Sequence, residues 1–220
     1  LGMTTDSQLT VSRKGFGYVI KSAAEELLAC ITLEHANQQK LAYENGDIRI
    51  VSTEPPKAHS SHCICDGADL GLADHTCKEI TEWKELNVDS LKTSTTSSSK
   101  LMFKESGYYY LAYDLDLTGL VDIPKDQNIV ICLNGCKITS PSSAFMLIGN
   151  LTICDCDGTG EIETTYTGNG GVVKLHNGAQ FNLYGGTLTN TKEVSTGGGV
   201  VVVSTDNYNS MAPSTKTDTV

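Results

Sequence analysis

The 220-residue chain carries a formal charge of −10, with 39% hydrophobic and 19% charged residues. That length suffices for one substantial core, or for a small module followed by a larger one. The acidic balance and scattered lysines and arginines exclude nucleic acid as an expected partner, and no apolar run reaches the roughly 18 residues that suggest a membrane span.

Low charge together with abundant Gly, Ser, Thr and Asn suits turns and strands better than long salt-bridged helices. The chain opens at Leu1 and stops at Thr219 and Val220 without a closing element, so both ends are expected to have been cut from a longer protein.

Residues 1–53 predict a small α+β segment, or the tail of a preceding module. Ala23, Ala24, Leu27, Leu28 and Ile31 follow Lys21 and Ser22 at near-helical spacing and predict a short helix. Gly17 to Ile20 and Asp47 to Val51 predict strands, the second entered through the turn dipeptide Asn45-Gly46. Glu54, Pro55, Pro56 and Lys57 then break regular structure, because proline fixes its own φ and pushes the preceding residue toward extended geometry.

Residues 54–82 therefore read as a linker followed by a loop holding His59, His62, Cys63, Cys65, His75 and Cys77. Two chemistries compete for this loop. Thiolates and imidazoles at close spacing are the ligands of tetrahedral zinc, and Cys63, Cys65, Cys77 and His75, with His62 as substitute, would make a closed structural site. Cys-x-Cys is not the standard zinc spacing, however, and oxidising surroundings would instead join Cys77 to Cys63 or Cys65.

Residues 83–126 predict a capping strand region. It contains the Ser/Thr-rich stretch Thr93 to Ser99, expected as a surface loop, and the period-two run Tyr108, Tyr110, Ala112, Leu115 and Leu117. From 127 to 220 short apolar strands recur between Asn/Gly and Gly/Gly corners. Asn134-Gly135-Cys136-Lys137-Ile138, Asp157 to Ile162 and Tyr184 to Leu188 align at a period in the twenties. Phe145 to Ile148, Val172 to Leu175 and Val200 to Val203 form a second register. A coil that cannot bury its inner face alone is completed by stacking on its neighbours, so this periodicity predicts a parallel β-helix. The competing architecture is an antiparallel β-sandwich, whose strands have no reason to repeat the same corner residues at a steady interval.

Four segments carry a further likeness: Ile131-Cys132-Leu133-Asn134-Gly135, Leu151-Thr152-Ile153-Cys154-Asp155-Cys156, Gly170-Gly171-Val172-Val173 and Phe181 to Leu188. In this order they resemble the adhesin-like right-handed parallel β-helix surface proteins of gut Firmicutes, within the pectin-lyase-like superfold. The resemblance covers about Trp83 to Val203, and the sequence departs from it at Cys136, where that family more often has histidine. It implies a mainly β chain: a right-handed parallel β-helix, here its start, behind a small α+β segment. It also implies an extracellular or cell-surface location, and as partners host or microbial glycans or surface proteins.

The same superfold serves lyases, hydrolases and non-catalytic adhesins. Arg13 and Arg49 are the only arginines, and none falls in the coils, which argues against lyase chemistry. No pair is singled out among the carboxylates Asp114, Asp116, Asp122, Asp155, Asp157, Glu161 and Glu163. The expectation is a non-catalytic adhesin or stalk segment. The alternative is a fragment of a carbohydrate-active enzyme, a polysaccharide lyase or glycoside hydrolase, whose active site lies outside or at the end of this stretch. Beyond a structural zinc in the Cys/His loop, no cofactor is expected.

Three smaller expectations follow. Cys132 and Cys154 occupy equivalent strand positions one coil apart and are candidates for a disulfide, set against a ladder of buried free thiols. Tyr108 and Tyr109 are candidate glycan contacts, since exposed rings stack on sugars, set against core packing. Asp155 to Ile162 has the opening of a calcium loop but Tyr166 where the closing acid belongs, which favours a β-helix corner.

Overall fold

The computed structural model describes residues 9–14, 17–22, 27–32, 39–44, 47–52, 55–64, 79–87, 90–95, 97, 99–168, 171–176, 178–192 and 199–204. Near the start, β1 (Leu9–Lys14), β2 (Gly17–Ser22) and β3 (Leu27–Thr32) form an antiparallel meander, and β4 (Gln39–Glu44) pairs with β5 (Asp47–Ser52) as a hairpin. The helix expected through Ala23, Ala24, Leu27, Leu28 and Ile31 is replaced by strand over Leu27–Thr32, while Ala23 and Ala24 lie outside the described residues. Leu27, Ala29 and Ile31 also alternate in period two, and pairing with β2 supplies the hydrogen bonds that decide between the two periods. Across the Cys/His loop, β6 (His62–Cys63) bridges antiparallel to β7 (Glu79–Ile80).

From Trp83 the chain winds as a parallel β-solenoid of about 5 turns. One wall stacks β8 (Trp83–Glu85), β11 (Gly107–Tyr110), β14 (Asn128–Cys132), β17 (Asn150–Cys154) and β20 (Gln180–Leu183). A second stacks β10 (Leu101–Phe103), β13 (Val121–Ile123), β16 (Phe145–Leu147), β19 (Val173–His176) and β22 (Val201–Ser204). The third stacks β12 (Leu115–Asp116), β15 (Lys137–Ser140), β18 (Glu161–Thr164) and β21 (Thr187–Asn190). Within these walls the ladders are parallel. The exception is β9 (Leu91–Thr93), which runs antiparallel along β10 and covers that edge. The region expected as a cap, 83–126, thus belongs to the winding itself, because β8 already stacks in parallel on β11.

The corner repeat read from the sequence falls on this register. Ile138 pairs with Ile162 and Ile162 with Leu188, while Val121, Phe145, Val173 and Val201 form one column. Inward positions alternate with outward ones: Ile129, Ile131, Leu133, Leu151 and Ile153 belong to the interior cluster with Phe103, Tyr109, Leu147 and Ile162. Each such side chain contributes about 1.5–3 kcal/mol on leaving water.

The corners are held by specific residues. Asn134 and Gly135 both adopt positive φ, 52° and 67°, the left-handed geometry that asparagine and glycine tolerate best. At Gly149 a Cβ would lie 2.1 Å from the Pro124 carbonyl oxygen of the coil before, so this glycine is fixed by the closeness of two backbones. No helix among the described residues is long and apolar enough to cross a membrane.

Two substitutions test this packing by urea denaturation. Ile153→Ala should cost about 2–5 kcal/mol, because it opens a cavity between stacked coils. Gly149→Ala should also destabilise the chain, since the obstructing atom is backbone; an unchanged midpoint for both would contradict the stacking.

Candidate functional site

Period two gives the first wall a second, outward face. There Val130, Cys132 and Cys154 form a separate buried cluster, packed against Ile64, Trp83, Tyr110 and Cys156. An outward face of a solenoid is buried only if something covers it, and here the cover is the segment from Pro55 to Ile64.

Main-chain and side-chain bonds fix that segment to the coils. The Lys57 N–H donates to the Ala112 carbonyl at 2.9 Å, and its ammonium donates to the Gly135 carbonyl at 2.7 Å. The Asn134 side-chain amide donates to the carbonyls of Leu111 (2.9 Å) and Ala58 (3.3 Å), so the residue that turns the corner also clasps the cover. The two prolines suit the extended path over residues 55–61, which joins no ladder before β6 begins at His62.

The segment lays two imidazoles over the wall. His59 stacks on Tyr110 with ring centroids 4.4 Å apart and 8° between planes, and His62 stacks on Trp83 at 4.7 Å. Their Nε2 atoms are 3.1 Å apart. Beneath them the Cys132 and Cys156 sulfurs are 3.6 Å apart, and the four donor atoms all lie within 4.8 Å of one another. His62 Nδ1 lies 2.7 Å from the Cys63 carbonyl, which can only accept; Nδ1 therefore carries the proton and Nε2 presents its lone pair to the cluster.

Burial, reinforced by the charge His62 would carry, holds His59 down at about 4. The thiols move the other way. Burial and neighbouring Cys132 push Cys156 up to about 12, and a hydrogen bond with Cys154 together with burial raises Cys132 as well. The Cys156 thiol donates to Asn134 Oδ1 at 3.4 Å.

The residues expected to form sites fall differently. Cys63 is in a disulfide, and a sulfur so bonded has no thiolate to give zinc; Cys65, His75 and Cys77 lie outside the described residues. His62, the substitute ligand, belongs to the cluster above. Cys132 and Cys154 do stack in register, but both are free thiols. Parallel neighbours stand about 4.7–4.9 Å apart with side chains pointing the same way, wider than the Cβ separation a disulfide accepts. Tyr109 points into the core, 2% exposed, with its hydroxyl donating to the Glu105 carbonyl at 3.0 Å, so it is no glycan contact. Tyr108 faces outward and is 39% exposed.

The carboxylates serve as struts between coils. Asp155 Oδ1 accepts the Gly135 N–H at 2.7 Å and Oδ2 the Gly160 N–H at 2.6 Å, which makes the Asp155 to Ile162 stretch a corner and not an ion loop. Asp114 accepts the Lys137 N–H at 2.7 Å, Asp122 accepts the Ser94 hydroxyl at 2.7 Å, and Lys137 bridges Glu161 and Glu163 at 3.1 and 2.7 Å. Comparison with protein-family models, with curated proteins and with solved structures returned no match.

Asp155→Ala should lower the unfolding free energy by about 3 kcal/mol, because two main-chain donors at a corner lose a charged acceptor. Glu105→Ala, which removes an exposed ion pair with Lys84, should leave the urea midpoint almost unmoved. Equal effects would refute the distinction between corner clip and surface pair.

Proposed function

We propose that this chain is a segment of a non-catalytic extracellular adhesin or stalk, built as a right-handed β-helix of the pectin-lyase-like kind, that presents its coils to glycans or surface proteins. The observation that carries the reading is the use of the coil acids. Asp114, Asp122, Asp155, Glu161 and Glu163 are engaged in bonds that hold coils together. Glycosidic hydrolysis instead needs two carboxyls facing each other across a cleft.

Two features support an exported location. The Cys63 disulfide suits an oxidising compartment, and a stack of near-equivalent coils gives an extended, quasi-one-dimensional body suited to spacing a binding surface away from its anchor. On the outer wall Tyr108 offers the exposed ring on which a sugar face would stack.

A glycan array and a polysaccharide-degradation assay on the purified chain test the proposal. Retention of one or more glycans, reduced by Tyr108→Ala, with no release of reducing ends or unsaturated products is the expected result. Release of sugar by the chain would instead assign it to the carbohydrate-active enzymes.

A further inference from the structure

We infer that His59, His62, Cys132 and Cys156 bind one zinc ion in a closed tetrahedral site that fastens the Pro55–Ile64 segment to the outer wall of the solenoid. The inference does not rest on the adhesin reading. Two imidazole nitrogens and two cysteine sulfurs are a common ligand set of structural zinc, and here they converge from three separated stretches of chain.

The geometry suits the ion. Zinc–nitrogen bonds of about 2.0–2.1 Å and zinc–sulfur bonds of about 2.3 Å at tetrahedral angles place nitrogens about 3.3 Å and sulfurs about 3.8 Å apart. The observed separations are 3.1 and 3.6 Å. The widest pair in the cluster, within 4.8 Å, needs to close by about 1 Å, a side-chain adjustment.

The surroundings fit as well. The Nδ1–H bond to the Cys63 carbonyl orients His62 with Nε2 inward, the outer-shell support that metal-bound histidines usually have. The Tyr110 and Trp83 rings flank the imidazoles, and Ile64, Val130 and Cys154 share one apolar cluster with the two cysteines. Four protein ligands leave no position for water, so the site is structural and not hydrolytic. On binding, each thiol releases one proton to solvent and becomes a thiolate ligand, so two protons leave for each zinc ion taken up.

The full chain, purified with reductant and without chelator, would be assayed for zinc content and titrated with cobalt(II) as a spectroscopic substitute. The site predicts one zinc per chain and a cobalt spectrum with tetrahedral d–d bands and sulfur-to-cobalt charge transfer from two thiolates. Affinity should fall more than about 100-fold in Cys156→Ser and in His59→Gln, whereas His75→Ala should leave it unchanged. Cys156 and His59 are only partly buried, so circular dichroism should show both variants folded. The wild-type cobalt spectrum tests the site even if a variant fails to fold. Zinc removal should also make the Pro55–Ile64 segment cleavable by protease.

Three results would overturn the inference. One is an absence of bound metal together with an octahedral cobalt spectrum. Another is zinc that survives Cys156→Ser and His59→Gln but is lost in His75→Ala. The third is a Cys132–Cys156 disulfide, seen by thiol counting and peptide mass spectrometry, that persists in reduced protein supplied with zinc.

Discussion

Parallel stacking in register is the constraint on which the rest of this molecule depends. A single coil exposes its apolar inner face, and only another coil with the same alternation can cover it. Once Ile129 sits on Leu151 and Ile131 on Ile153, each side chain between them is committed to the outer face. A slip of one residue would send Cys132 and Cys154 inward and the isoleucines into water. Core and outer wall are therefore set by the same register.

That coupling explains why the outer wall can hold a site. Cys132 ends one strand, and Cys156 lies two residues beyond its register partner Cys154, at the next corner. The corner turned by Asn134 and Gly135 at positive φ brings the two sulfurs together, and the Asn134 amide holds the covering segment over them. Asp155, between Cys154 and Cys156, locks the corner by accepting main-chain N–H groups from Gly135 and Gly160. The acid that clips these coils together is thus also the one that fixes the corner carrying Cys156.

Much of the solenoid was legible because its signal is periodic. Ile138, Ile162 and Leu188 follow the same kind of corner, and the alignment of those corners alone places them in one ladder. The early coils were harder to read: Trp83 to Glu85 and Leu101 to Phe103 lack the Asn-Gly corners and look like a cap, although they stack as coils do. Leu27–Thr32 satisfies both the helical and the strand period, and only its partner strand decides. The donor cluster was not legible as a unit. His59 and His62 lie some 70 residues before Cys132, and a local search for ligands stops at Cys63, Cys65, His75 and Cys77. The available clue was that Cys132 and Cys156 fall on or next to outward positions of successive coils, where a thiol has no reason to be buried unless a cover exists.

The register itself is the quantity to measure. In solution NMR of the isotopically labelled chain, cross-strand amide and α-proton contacts should join Ile131 to Tyr109 and to Ile153, and Ile162 to Ile138 and to Leu188, in the parallel pattern. Contacts that instead pair the strand Asn128–Cys132 antiparallel with its chain neighbour Lys137–Ser140, as a hairpin, would contradict the account, and the shared outer wall would go with it.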